Sequence, residues 1–305
     1  MKAFNIEYRP QDFDEIIGNS DIIESLQSII QQKNPPHSYL FHGNTGCGKT
    51  TIARILARHL GSSQYDIIEI NSSNNRGIDT ARDIITQMNY KPLSGKSKTY
   101  ILDEVHQATK DFQNGILKAL EDSPDHVFFI LCTTEPEKLL KTIQNRCSQF
   151  QVSRLNIKMI MRLLKRTLEQ NKKEISKEIM ELIGRECEGI PRQALIMLQQ
   201  IIDIKNEEKA ISIIQSLKSN EKQVIDLCRA LNDGKSWSVL SNIIKNIEAD
   251  PENVRRAVLG YFSAIALNSK NEKAAARAMI ILENFEDNYY DSGKAGLLLS
   301  IFRTI

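Results

Sequence analysis

The run Ser38-Tyr39-Leu40-Phe41-His42-Gly43-Asn44-Thr45-Gly46-Cys47-Gly48-Lys49-Thr50-Thr51 decides the fold. Its apolar start, Ser38 to Gly43, reads as a buried strand, and a helical pattern runs from Thr50 to about His59. Between them, Gly43 to Thr50 fits the pattern Gly-x-x-x-x-Gly-Lys-Ser/Thr. The glycines let backbone N–H groups turn inward toward phosphate oxygens, and the following helix adds its positive N-terminus. Lys49 can reach β- and γ-phosphates, and the Thr50 hydroxyl can ligate Mg²⁺. Asn44, Thr45, Gly46, Cys47, Gly48 and Thr51 complete the candidate phosphate-binding set, with Cys47 contributing backbone only. A glycine-rich turn carrying Lys-Thr by chance would not explain the strand before it and the helix after it.

Working outward, Tyr65 to Asn71, Lys98 to Glu104, His126 to Thr134 and Gln149 to Val152 read as further strands. Helical patterns separate them, among them Asp79 to Met88. Continuous Ile/Leu/Val/Phe strands alternating with helices indicate a parallel sheet covered on both faces. After Val152 the apolar spacing is helical throughout, with a turn at Gly189-Ile190-Pro191 and a helix start at Asp250-Pro251. The expected layout is a nucleotide-binding α/β domain over 1–152, a small helical lid over 153–205 and an all-helical domain over 206–305.

The strand Tyr100-Ile101-Leu102 ends in Asp103-Glu104. Asp103 can hold Mg²⁺ through water, and Glu104 can polarise the water that attacks a γ-phosphate. The plainer reading is an acidic pair ending a strand at a helix cap. Thr133 and Thr134 end the next strand, where a hydroxyl can bridge γ-phosphate or water to the sheet; a β-branched strand end is the alternative. Arg146 precedes the last short strand, and Arg192 opens a helix of the second part. Each can neutralise charge on a transferring phosphoryl group. Each can equally be a solvated surface charge.

Composition agrees with a globular chain of about two or three domains: 305 residues, 41% hydrophobic, 26% charged and a net charge of +2. That balance excludes holding nucleic acid by bulk charge. No apolar run is long enough for a membrane span, and the start MKAFNIEYRPQDFDEIIG is too polar for a signal peptide. Five scattered cysteines without a Cys-x-x-Cys pair read as reduced thiols with no zinc site, in a cytoplasmic or nucleoplasmic protein.

On these residues the α/β part resembles the AAA+ family, and within it the clamp-loader ATPases of DNA replication. Glu7-Tyr8-Arg9-Pro10, with Phe13 and Ile17-Gly18, resembles the N-terminal segment that helps enclose adenine in that family. Asp103-Glu104-Val105-His106 and Leu131 to Leu139 look like the gamma/tau subunit of bacterial DNA polymerase III. Asn71 to Asp79 looks more like the small subunits of replication factor C. Asn145-Arg146-Cys147 resembles the Ser-Arg-Cys motif of both groups, and Gly189 to Leu195 their second-sensor helix. The ordered motifs cover about residues 4 to 200; beyond that only helical content and length agree.

The resemblance implies ATP and Mg²⁺ as cofactors, Thr134 as first sensor, Arg192 as second sensor, and Arg146 as an arginine finger reaching the next subunit's site. It implies that the C-terminal domain is a collar holding a pentamer, with repeated copies of this chain plus a distinct subunit. The partners implied are a sliding clamp and primer–template DNA, in a bacterial or infected-host cytoplasm near the nucleoid, with no membrane. Phosphate-directed, sequence-blind DNA contacts are expected from Arg76, Arg82 and Lys110 near helix starts. Two features depart from the pattern. No cysteine lies between Cys47 and Cys132, where bacterial gamma/tau carries a zinc module, and Asn145 replaces the usual serine. This mixture is compatible with a viral source. Two alternatives stay open: a branch-migration motor of the Holliday-junction type, against which no C-terminal β-hairpin pattern is visible, and a scaffold that binds ATP without hydrolysing it.

Overall fold

A computed structural model of the chain describes residues 3–73, 77–247, 249–269, 271–289 and 292–304. They form two compact units, Met1–Asp203 and Ile204–Ile305.

The first unit is built on five strands: β1 (Ser38–His42), β2 (Ser62–Asn71), β3 (Ser97–Asp103), β4 (Val127–Thr133) and β5 (Ser148–Gln151). All pair in parallel, in the order β2-β3-β4-β1-β5. Side chains alternate between two cores, as the period of a strand requires. Leu40, Tyr100, Leu102, Phe129 and Leu131 face α4 (Ile78–Met88) and α5 (Lys110–Glu121) through Ile84, Phe112 and Ile116. Tyr39, Phe41, Ile101, Ile130 and Cys132 face α3 (Lys49–His59) through Ile52, Ile55 and Leu56. Apolar residues on both faces are what a sheet covered on both sides needs.

β2 begins at Ser62, earlier than the apolar pattern from Tyr65 suggests. The added residues break register between Ser62 and Ile67, where Asp66 turns inward. That carboxylate accepts the backbone N–H of Ser94 at 3.1 Å and of Gly95 at 2.6 Å, that of Leu93, and the Ser63 hydroxyl at 2.5 Å. A polar residue inside a strand therefore clamps the loop entering β3, an arrangement invisible to alternation of apolar residues.

Ahead of the sheet lie α1 (Phe4–Glu7) and α2 (Ser20–Ile30). The short α6 (Lys141–Gln144) precedes β5, and α7 (Ile157–Asn171), α8 (Lys177–Glu186) and α9 (Pro191–Ile201) complete the unit. Asn156 caps α7, accepting the Met159 N–H at 2.9 Å, and Pro191 occupies the first turn of α9, where its missing N–H costs nothing. The N-terminal segment is tied to these helices. The Phe4 N–H donates to Gln199 Oε1 at 2.9 Å, and Arg166 Nη1 donates to the Glu15 carbonyl at 2.6 Å.

The second unit comprises α10 (Glu207–Asn232), α11 (Trp237–Asn246), α12 (Pro251–Asn268), α13 (Glu272–Asn284) and α14 (Gly293–Arg303). They close around Val258, Phe262, Phe285 and Ile301, all buried. Glu252 crosslinks this core: it pairs with Arg255 at 2.7 Å and accepts the Tyr289 N–H at 3.0 Å. Among the described residues, no helix is long and apolar enough to cross a membrane.

Candidate functional site

The strand order sets the site. β1 leads into the glycine loop at its carboxyl end, and β4 lies between β1 and β3 with His42 opposite Thr133 and Leu102 opposite Leu131. The loop, the acidic pair and the two threonines therefore meet along one sheet edge, beyond the strand carboxyl ends where open α/β sheets bind ligands.

Gly48 adopts φ +105°, a left-handed conformation that admits the turn into α3, although a Cβ there would meet nothing within 4 Å. At Gly46 the constraint is proximity: a Cβ would fall 2.8 Å from Ile190 Cγ2 and 3.2 Å from Arg192 Cβ. The loop and the start of α9 thus approach closely only because the side chain is absent. Lys49 is only 5% exposed, and its Nζ donates to the Gly43 carbonyl at 2.8 Å and the Asn44 carbonyl at 3.1 Å. The ammonium is held across its own loop, ready to exchange two carbonyl oxygens for phosphate oxygens. Burial raises the Cys47 thiol above its usual range, although Lys49 and Arg154 oppose this.

Thr50 Oγ1 donates to Asp103 Oδ2 at 2.9 Å, and Asp103 Oδ1 accepts the Glu104 N–H at 3.0 Å. Two hard oxygens lie side by side, the donor type that Mg²⁺ prefers, so the residues present fit that ion. Glu104 has φ +50° and a 28%-exposed side chain. It lines the same cavity as Lys49, Thr50 and Asp103.

That cavity, about 230 Å³, extends from the loop between the N-terminal segment and the helices after the sheet. Tyr8, Arg9, Pro10 and Ile17 line one side, and Pro191 and Arg192 the other, all named from the sequence except Pro191. Gly18 does not line it but abuts Leu155, which does. Sequence reasoning missed Arg54, Glu69, Leu163 and Arg166. Arg54 donates from Nε and Nη2 to the two oxygens of Glu69, each at 2.8 Å. It lies one helical turn after Thr50, the signal that was available. Burial, followed by repulsion from Arg54, lowers the Arg9 pKa. The Arg54 charge there is balanced by Glu69.

Gly43, Asn44, Thr45, Gly46, Cys47, Gly48 and Thr51 are brought together by the loop, though Gly43 and Asn44 contribute carbonyls to Lys49 without lining the cavity. Thr134 is half-buried and outside the cavity wall, whereas Thr133 is fully buried. The Thr133 hydroxyl oxygen accepts the Glu135 N–H at 3.1 Å. Arg146 also lies away from this chain's cavity. Its Nη1 donates to the Thr142 carbonyl at 2.8 Å and its Nη2 pairs with Glu121. Arg82 is exposed and paired with Asp79 at 2.9 Å, and Lys110 is exposed at the first position of α5. Arg76 lies outside the described residues.

Residues 61–156 match the family described as DNA polymerase III, delta subunit. The tau subunit of DNA polymerase III from Bacillus subtilis (strain 168) is 30% identical over 287 residues, covering 85% of this chain and 51% of that protein. The tau subunit from Escherichia coli (strain K12) is 28% identical over 304 residues, covering 91% of this chain and 47% of that protein. The gamma subunit of Buchnera aphidicola subsp. Baizongia pistaciae is 28% identical, covering 93% of this chain and 87% of that protein. The chain spans about half the length of the two tau subunits. The structure of the Thermotoga maritima RuvB Holliday junction branch migration motor superposes with TM-score 0.59 at 22% identity, over 73% of this chain and 79% of that one. At that identity the likeness is one of fold.

A five-stranded parallel sheet in this order, with a glycine loop after β1, an acidic pair ending β3 and further helices after β5, is the AAA+ fold. Within that class, the chain is similar in sequence to tau and gamma subunits of bacterial DNA polymerase III.

Proposed function

We propose that this chain is the motor subunit of a clamp loader, using ATP binding and hydrolysis to open a sliding clamp and place it on primer–template DNA. The observation that carries the ATPase part is the Thr50–Asp103 hydrogen bond at 2.9 Å beside Lys49 and Glu104 in one cavity. Lys49 and the loop N–H groups would bind the phosphates, with Tyr8, Arg9, Pro10 and Ile17 around the base and Arg192 over the phosphates from the lid. Thr50 and Asp103 would hold Mg²⁺, which supplies charge neutralisation on the β- and γ-phosphates. Glu104 would orient and deprotonate the attacking water, and Thr134 would report the state of the γ-phosphate.

Arg146 lies outside its own cavity, which supports a role in the site of an adjoining subunit. Hydrolysis would then depend on assembly, with residues 206–305 serving as the collar of a pentamer and 153–205 as the lid. Arg82 and Lys110 would contact DNA phosphates as the complex encircles the duplex. The bacterial DNA polymerase III relatives support replication in a bacterial cytoplasm as the setting.

The test is steady-state ATP hydrolysis by the purified chain, alone and with co-assembling subunits, sliding clamp and primed DNA. Stimulation that needs clamp and primed DNA together supports the proposal. Activity that ignores the clamp and rises with four-way junctions would replace it with a branch-migration motor. ATP binding without turnover in every mixture would replace it with a scaffold.

A further inference from the structure

His106 lies in the short 3-10 turn Val105–Gln107 that follows the acidic pair, and its side chain is only 6% exposed. Its ring faces two structural elements. Nδ1 lies 3.0 Å from Thr133 Oγ1 and 3.4 Å from Glu104 Oε2, while Nε2 lies 3.3 Å from Glu135 Oε1. Glu135 is held in turn by Lys138 at 2.8 Å. The ring is wedged between the carboxylate at the end of β3 and the residues that end β4.

A neutral imidazole has one N–H, so these contacts cannot all be hydrogen bonds at once. With the proton on Nδ1, the ring donates toward Glu104 and Thr133, leaving the Nε2 lone pair against Glu135. With the proton on Nε2, the ring donates to Glu135 and Nδ1 accepts from the Thr133 hydroxyl, leaving Glu104 without that donor. Burial lowers the His106 pKa, and the two glutamates oppose this. Both arrangements remain available to one buried ring, and they differ in whether Glu104 is held.

We infer that His106 is the positioning residue for Glu104, fixing the placement of its carboxylate and linking that placement to the turn formed by Thr133, Thr134 and Glu135. The inference rests on the ATPase reading above. The left-handed backbone at Glu104 leaves a part-exposed carboxylate beside the cavity, and the His106 ring reaches it from the protein interior. Because Thr133 and Glu135 flank Thr134, displacement of this turn by a change at the γ-phosphate end of the cavity would reach Glu104 through one ring. Nucleotide sensing and water activation would then be coupled without a large movement.

The experiment measures kcat and KM for ATP in the complete assembly with clamp and primed DNA, for wild type and for three variants. His106→Phe keeps the bulk and removes both nitrogens. His106→Asn keeps an amide where Nδ1 stands, and His106→Gln keeps one where Nε2 stands. The expected result is a fall in kcat of about tenfold or more for His106→Phe, part of the roughly 100- to 10,000-fold that a well-placed acid–base group supplies. KM should stay within about twofold, His106→Asn should recover most of the loss, and His106→Gln should recover little. In a Glu104→Gln background, His106→Phe should add less than about twofold, because residues acting through one another are not additive. A kcat for His106→Phe within twofold of wild type would overturn the inference while leaving the ATPase reading standing. Equal recovery by His106→Asn and His106→Gln would also overturn it, and that comparison decides the matter if the phenylalanine variant does not fold. No turnover by the wild type in any mixture would remove the ATPase reading and this inference together.

Discussion

Thr50 and Asp103 are joined by a hydrogen bond of 2.9 Å although their strands are not neighbours. Thr50 follows β1 and Asp103 ends β3, and β4 runs between those strands. The glycine loop and the start of α3 therefore carry Thr50 from the end of β1 past β4 to Asp103. Thr133, at the end of β4, lies 3.0 Å from His106 Nδ1, which is 3.4 Å from Glu104 Oε2.

Lys49→Ala should reduce ATP affinity by about 10- to 100-fold, the worth of charge-assisted hydrogen bonds of about 1.5–3 kcal/mol. The folded loop should survive, since Lys49 contributes only bonds to two carbonyls there. Titration with a fluorescent nucleotide reads the affinity, and unchanged binding would remove the phosphate-loop assignment.

Glu104→Gln should bind ATP normally and lose turnover by about 100-fold or more, because an amide cannot take a proton from water. The assembled complex should then stay on clamp and primed DNA. Single-turnover hydrolysis and a gel-filtration pulldown measure the two effects, and wild-type turnover would assign the base elsewhere.

Arg146→Ala should cut turnover by about 1,000-fold in the assembly while leaving ATP affinity intact, the magnitude of an arginine finger. Mixing this variant with Lys49→Ala subunits should restore sites where an intact arginine meets an intact loop. Releasing Arg146 from Glu121 to enter a neighbour's site should cost little, since a part-exposed pair is worth about 0.2–1 kcal/mol. Glu121→Ala should therefore change turnover by less than about fivefold. A larger loss in that variant would mean that the pair itself serves the active geometry.

Asp66 should make the first unit sensitive to acid. Burial would raise its pKa, but the Ser63 hydroxyl and the N–H groups of Gly95, Leu93 and Ser94 outweigh that and hold it at about 2, below its ordinary 3.8. The folded state thus binds this proton less readily than the unfolded chain. Its stabilising contribution is complete above about pH 4 and is lost as pH falls through about 2. Urea melts at pH 7, 4, 3 and 2 should show this loss in wild type and not in Asp66→Asn. Asp66→Ala should cost about 2 kcal/mol at pH 7 by leaving backbone donors unpaired. An identical acid profile in wild type and Asp66→Asn would place the sensitivity elsewhere.

Much is legible in the amino-acid sequence. The strand–loop–helix from Ser38 to His59, the acidic end of Leu102-Asp103-Glu104 and the helical character after Val152 are local patterns, written in apolar period, glycine placement and adjacent charge. Local sequence suffices for these because backbone conformation and burial are decided within a few residues. The candidate residues around the phosphate loop were legible for the same reason, since a motif fixes its own spacing.

Only the tertiary structure decided what lies next to what. That β4 separates β1 from β3, that Arg54 grips Glu69 at the cavity wall, that Asp66 turns inward to hold Leu93 to Gly95, and that His106 stands between Glu104 and Glu135 are long-range relationships. Each joins residues distant in sequence or on different elements, and packing selects them from many pairings that the same apolar pattern permits. A histidine after an acidic pair reads as any polar residue in a turn. Buried among partners from two strand ends, it becomes a group with one proton and three acceptors to choose among.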